Sequence, residues 1–234
     1  MSFDEMTGLN IALIGATGGI GHALVKQLSK DNDVQTFSRR GADDIHINIT
    51  DEDTIKDATR QISTPLDLVI VATGLLHNNE HLQPEKSIKD LNYEDLISAF
   101  AINTIGPSLV AKHFIPLLKR EQRSTFAALS ARVGSISDNH LGGWYGYRAA
   151  KAALNMMLRN LSIEAKRTNK QSIIIGLHPG TVDTKLSKPF QSHVAEGKLF
   201  TADHAAQCLI DVIKNRTPKD SGFIFDWDNK KIEY

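Results

Sequence analysis

An apolar strand that runs into a cluster of glycines and then into an amphipathic helix leaves few folds open. In this chain Leu9 to Ile14 is the apolar run, Gly15-Ala16-Thr17-Gly18-Gly19-Ile20-Gly21 the cluster, and His22 to Lys30 the helical segment. Ile20, Leu24 and Leu28 recur at spacing four, which puts them on one helix face. Such a turn needs glycine where φ is positive or where a Cβ would not fit. It brings backbone N–H groups and the positive end of the helix dipole to one point, where a pyrophosphate can sit. The glycines fit two spacings. Gly15, Gly19 and Gly21 read G-x-x-x-G-x-G, and Gly15, Gly18 and Gly21 read G-x-x-G-x-x-G.

The rest of the chain repeats the alternation of short apolar runs with longer amphipathic ones, the signature of βαβ units and a parallel sheet. Strands are predicted at Val34 to Phe37, Ile45 to Ile49, Leu66 to Ala72, Thr125 to Ser130, Ser172 to His178 and Phe223 to Phe225. Helices are predicted from a start at Thr50 and Asp53, over Tyr93 to Leu118 with an interruption near Gly106-Pro107, over Tyr147 to Lys166, and over Asp203 to Lys214. The acidic cluster Asp51, Glu52 and Asp53 reads as a helix start rather than a metal site. No composition shift marks a boundary, so residues 1–234 are expected to form a single α/β domain, a doubly wound parallel sheet with helices on both faces.

Composition excludes some partners. The chain has 27 basic and 27 acidic residues and no net charge, which leaves no footprint for nucleic acid or an anionic membrane. No apolar stretch reaches the length of a membrane span. Met1 to Asn10 lacks the basic start and apolar run of a signal peptide. Cys208 is the single cysteine, so no intrachain disulfide forms and a reducing, cytoplasmic setting is expected.

Tyr147 and Lys151 stand four apart in a helical segment and so share a face. A free phenol is a poor base near neutral pH, and a nearby ammonium is expected to lower its pKa. The pair can then give a proton to a carbonyl oxygen or take one from an alcohol. Tyr145 is a rival phenol without a lysine four residues on. Past the second strand stand Ser38, Arg39 and Arg40 rather than the acidic residue that would bind a ribose 2′-hydroxyl. Two guanidinium groups there suit a 2′-phosphate. His77 and His81 could bind a metal if helical, but Asn78 and Asn79 between them favour a loop that lines a substrate mouth, and no metal site is expected. Trp144 suits either a substrate wall or a subunit contact.

Taken together, the glycine loop and Tyr147-Arg148-Ala149-Ala150-Lys151 resemble the short-chain dehydrogenase/reductase family over nearly the whole length. The first glycine spacing belongs to that family's compact branch and the second to its extended and atypical branches; the chain length and Pro179-Gly180 favour the compact branch. The resemblance implies a Rossmann-type fold and hydride exchange between a nicotinamide cofactor and a small carbonyl or alcohol, with Tyr147 as general acid/base. It implies NADP, since arginine at this point goes with NADP in the family. It also implies cofactor contacts from Gly15, Thr17, Gly18, Gly19, Ile20 and Gly21, and from Ser38, Arg39, Arg40 and Asn48. Asn48 stands where the family often has an aspartate facing the adenine. Ala72 and Gly74 fall in a segment that departs from the family's Asn-rich pattern. Lys151 would bind the nicotinamide ribose. Pro179, Gly180, Val182 and Thr184, in His178-Pro179-Gly180-Thr181-Val182-Asp183-Thr184, would meet the carboxamide. Asn103 matches a helix asparagine whose role is to hold a water leading toward the lysine. A homodimer or homotetramer is the family's usual state.

One position departs from the family. Its catalytic serine is second in a Ser-Ser-x-x-Gly stretch, and here the stretch reads Ser130-Ala131-Arg132-Val133-Gly134. The substrate-orienting hydroxyl is then expected from Ser130, which directly adjoins the slot, with Ser135 or neither as the alternatives. Adjacent residues on a strand point to opposite faces, so Ser130 serves only if the strand has ended or bulges there. Ser130 to Asn155, with Gly143-Trp144-Tyr145, is most similar to the subgroup of C-factor signalling proteins and sniffer-type carbonyl reductases. Besides the reductase, two further classes remain: a dinucleotide-binding regulatory protein with little turnover, and a glycine-loop methyltransferase. The latter would not explain Tyr147 and Lys151.

Overall fold

The computed structural model describes residues 3, 5–78 and 82–234, the side chain of His193 apart. His81 therefore lies outside the described residues.

The first strand, β1 (Asn10–Ile14), sends alternate side chains to two cores. Ile11 and Leu13 join one cluster with Leu24 and Leu28 of α1 (Gly19–Leu28) and Leu209 and Ile213 of α6 (Ala202–Lys214). Ala12 and Ile14 join the other, with Ile55 of α2 (Glu52–Thr59), Phe114 of α4 (Gly106–Phe114) and Leu154 and Leu158 of α5 (Tyr145–Thr168). A strand covered on both faces reads as an unbroken apolar run, and β4 (Leu68–Val71) has four fully buried residues in a row.

The remaining strands are β2 (Asp33–Ser38), β3 (Ile45–His46), β5 (Ser124–Leu129), β6 (Ser172–His178), β9 (Ile224–Asp226) and β10 (Lys231–Ile232). They form an eight-stranded sheet in the order β10-β9-β6-β5-β4-β1-β2-β3, parallel except for the β9–β10 pair. β7 (Thr181–Val182) and β8 (Leu199–Phe200) pair separately. This is the doubly wound Rossmann-type sheet expected from the sequence. The strand order reverses between β1 and β4, so a crevice opens there at the carboxyl ends of the strands, where such folds bind ligands.

Several boundaries differ for local reasons. Helix α1 begins at Gly19, a turn before His22, because Gly18 serves as its N-cap without a side-chain bond. Strand β3 stops at His46, since Asn48 turns the chain through bonds to Thr50 and Thr54 before Asp51 caps α2. The interruption expected near Gly106-Pro107 is a wide π-turn over Ala101–Ile105 between α3 (Tyr93–Phe100) and α4, closed by Gly106 N–H to the Ala101 carbonyl. Pro107 sits in the first turn of α4, where no N–H is required. Among the described residues no helix is long and apolar enough to cross a membrane.

Candidate active site

Two cavities, of about 680 and 400 Å³, lie on either side of the glycine loop and share Thr17, Gly18, Ala72, Thr73 and Gly74 as walls. Gly15 has φ +90°, a conformation that disfavours any side chain. A Cβ on Gly21 would lie 2.1 Å from the Gly15 carbonyl oxygen, and one on Gly19 would lie 2.6 Å from the Thr184 methyl. At Gly18 the nearest contact would be 3.3 Å. Sterics therefore demand glycine at 15, 19 and 21, the first of the two spacings. Gly19 and Ile20 line the larger cavity, Gly15 the smaller, and Gly21 is buried behind the loop.

The smaller cavity carries Ser38, Arg39 and Asn48 on its walls. Arg40 is exposed and does not line it. The Ser38 hydroxyl accepts from Gly41 N–H, which turns the chain just after β2. Asn48 spends its amide oxygen on the Thr50 hydroxyl and so holds its place on the cavity wall.

The larger cavity is built on α5. Tyr147 and Lys151 both line it, one turn apart, together with Pro179, Gly180, Val182 and Thr184 from the segment after β6. Lys151 is buried, donates to the Leu129 carbonyl at 2.8 Å, and faces the Tyr147 ring with its Nζ 5.7 Å from the centroid. Gly134, behind Ala131, packs so closely on α5 that a Cβ would come within 2.9 Å of Lys151. Burial pushes the Lys151 ammonium down to about 7 and the Tyr147 phenol up to about 12. The expected lowering of the phenol's pKa is thus reversed. Desolvation by burial is the cause, and the Lys151 Nζ stands over the face of the ring.

Asn103 sits in the π-turn, fully buried, and staples the segment after β4. Its amide donates to the Leu75 carbonyl at 2.7 Å and to the Ala99 carbonyl at 3.0 Å, while its oxygen accepts from Leu75 N–H. A Cβ on Gly74 would stand 3.6 Å from the Asn103 oxygen and 4.0 Å from the Lys151 Nζ, so these three residues converge. Thr104 ties the same turn to α5 through the Ala150 carbonyl at 2.7 Å.

Ser130 borders the larger cavity just past the end of β5, where its N–H makes a closing bond to the Leu177 carbonyl of β6. Its hydroxyl donates to Asn155 Oδ1 of α5 at 2.6 Å. Ser135 does not line the cavity, and its hydroxyl meets Ser137 and Asp138 N–H. Ala131 does line the cavity. His77 approaches the Lys185 carbonyl at 3.2 Å and stacks edge-on against Phe190. Phe190 in turn packs on Trp144, and Trp144 on Tyr147, making an aromatic wall beside the phenol. Among the described residues no cluster of ligands fits a metal.

Glu85 carries no functional signature in the sequence. This buried carboxylate accepts from Gly146 N–H in the first turn of α5, at 3.1 and 3.2 Å, and its carbonyl accepts from Trp144 N–H at 2.6 Å. It replaces the cap that Trp144, in a left-handed conformation, does not provide. A cap delivered from sixty residues away leaves no local signature.

Residues 10–195 match the model of the short chain dehydrogenase family. The chain belongs to that family. It is 29% identical to 1-hydroxy-2-glutathionyl-2-methyl-3-butene dehydrogenase of Rhodococcus sp., over 91% of this chain and 93% of that one. It is 30% identical to C-signal of Myxococcus xanthus over 63% of this chain and 84% of that one. Its fold superposes on an NADPH-bound carbonyl reductase from chicken fatty liver with a TM-score of 0.82, at 24% identity, covering 97% of this chain and all of the other.

Proposed function

We propose that this short-chain dehydrogenase is an NADP(H)-dependent oxidoreductase that interconverts a carbonyl and an alcohol on a small molecule. The observation that carries the reading is the pairing of Tyr147 and Lys151 on one face of α5, opening into a cavity continuous with the glycine cradle. The cradle fits a dinucleotide: its walls exclude side chains at 15, 19 and 21, and the buried Thr73 hydroxyl beside it has no protein partner among the described residues.

Thr17 to Gly21 would hold the pyrophosphate, Ser38, Arg39 and Asn48 the adenosine side, and Ala72, Gly74, Lys151, Pro179, Gly180, Val182 and Thr184 the nicotinamide side. Arg39 is exposed at the end of β2 with its guanidinium available to a 2′-phosphate, and it borders the cavity where Arg40 does not. When bound, the cofactor supplies or accepts the hydride. Tyr147, held as a neutral phenol, gives its proton to the carbonyl oxygen in reduction and takes it back in oxidation. Lys151 stabilises the phenolate left behind, and Asn103 fixes the segment that carries Gly74 beside it. Exposed Ile97 of α3 and Met156 and Ile163 of α5 support self-association as a dimer or tetramer. The single free cysteine, Cys208, suits a reducing cytoplasmic setting.

A second reading, a dinucleotide-binding protein with little turnover, is supported by one observation: a methyl group at Ala131 where the family places its serine hydroxyl. Both are tested by following NADPH absorbance against a panel of aldehydes, ketones and quinones. The oxidoreductase reading expects turnover in wild type, loss of turnover in Tyr147→Phe, and unchanged NADPH affinity in that variant. NADPH binding without turnover on the whole panel favours the second reading.

A further inference from the structure

Ala131 leaves the larger cavity without the hydroxyl that would steady a carbonyl oxygen, and the two neighbouring serines spend theirs elsewhere. His178 stands on the same cavity wall. It ends β6 and is in register with Asp226 of β9. Side chains alternate along a strand, so His178 points to the same face as Ile174, which packs in the core cluster under α5. Tyr147 and Lys151 lie on that side.

Nδ1 of His178 is turned inward, buried and without a hydrogen-bond partner among the described residues. His178 lines the cavity while its Nδ1 is shut off from solvent, which leaves Nε2 as the ring nitrogen able to face it. An orphaned buried N–H is rarer than an orphaned acceptor, which assigns the proton to Nε2 and a bare lone pair to Nδ1. Burial pushes the imidazolium down to about 4; the Arg132 guanidinium acts in the same direction and Asp226 opposes it. Arg132 is fixed by its 2.7 Å bond to Asp226. The ring is therefore neutral at neutral pH, with one donor, and a neutral imidazole can polarise a carbonyl.

We propose that His178 Nε2–H donates the second hydrogen bond to the substrate carbonyl oxygen, beside the Tyr147 phenol, in place of the hydroxyl that Ala131 lacks. The inference rests on the oxidoreductase reading. No proton is transferred by His178: the phenol supplies it, and the imidazole stays neutral while it stabilises the charge that develops on oxygen.

The test compares wild type with His178→Ala, His178→Gln, Ser130→Ala and Tyr147→Phe on the best carbonyl of the panel, with NADPH affinity measured by fluorescence titration. His178→Ala is expected to lower kcat about 10²- to 10³-fold, the usual effect of removing one such donor, with NADPH affinity unchanged. His178→Gln, which keeps a donor near Nε2, retains more activity than the alanine variant. Adding Ala131→Ser to His178→Ala restores part of the loss, which a structural role for the imidazole would not allow. Wild-type kcat in His178→Ala overturns the proposal. So does a loss shared equally by NADPH affinity, or a loss that appears in Ser130→Ala instead. If His178→Ala is active while Tyr147→Phe is dead, only the role of His178 falls. If Tyr147→Phe keeps wild-type turnover, the oxidoreductase reading falls and this inference falls with it.

Discussion

Burying a lysine beside a phenol costs the folded chain stability that depends on pH. Lys151 loses its proton near 7 in the native state and near the ordinary lysine value of 10.5 when unfolded. Between those values the unfolded chain binds more protons, so stability rises with pH across that window. The contribution is complete above 10.5 and is lost as pH falls through 7. Urea denaturation of wild type and Lys151→Met isolates it: the difference between the two should move in favour of wild type from pH 7 to pH 10. A constant difference would show that the ammonium is not displaced from its ordinary range. That Tyr147 and Lys151 share a helix face was legible in their spacing of four, and their position behind the glycine loop singled them out. The directions of their pKa shifts were not legible. They depend on how deep the surrounding walls are, and those come from β4, β5 and the segment after β6.

At the scale of the element, α5 is a 24-residue helix whose first turn sets the phenol, yet its N-cap residue Trp144 has φ 51° and offers no side-chain cap. Glu85 supplies the missing acceptor, and its negative charge lies at the positive end of the helix dipole. Glu85→Ala leaves Gly146 N–H buried and unpaired, at a cost of about 1–3 kcal/mol. For a chain of this size that corresponds to a fall in Tm of roughly 2–4 °C per kcal/mol. Differential scanning calorimetry checks the shift. Glu85→Gln should recover most of it, since an amide oxygen can still accept the bond. An unchanged Tm in Glu85→Ala would mean that water caps the turn. Strong elements such as β4 and α5 were readable from their apolar patterns. The two-residue strands β7, β8 and β10 were not, since their pairing is fixed by partners distant in sequence. The π-turn was readable only as an irregularity: Gly106-Pro107 signalled a break, but the bond that defines it runs from Gly106 back to Ala101.

Across the whole molecule, the crevice between β1 and β4 joins two half-sites that different parts of the chain build. The smaller cavity takes its walls from β1, β2 and the turn after β3; the larger takes them from β5, α5 and the segment after β6. This division was visible in the order of motifs along the sequence, glycine loop first and Tyr147 later. Which of the two arginines borders the crevice was not, because Arg39 and Arg40 are adjacent and only the turn at Ser38 and Gly41 decides between them. A dinucleotide that spans both half-sites would stabilise the native state by mass action, by about 2.7 kcal/mol at one hundred times its Kd. NADPH at that level should raise Tm by roughly 5–11 °C, taking 2–4 °C per kcal/mol. A charge-assisted bond from Arg39 to the 2′-phosphate is worth about 1.5–3 kcal/mol, or ten-fold or more in affinity. At equal concentration NADH should therefore give a smaller shift than NADPH. Arg39→Ala should reduce the NADPH shift to the NADH value, while Arg40→Ala should leave the gap in place. Thermal denaturation of the three proteins with each cofactor measures all of this. Equal shifts from NADPH and NADH in wild type would remove Arg39 from the cofactor site, and a gap that closes in Arg40→Ala but survives in Arg39→Ala would exchange their roles.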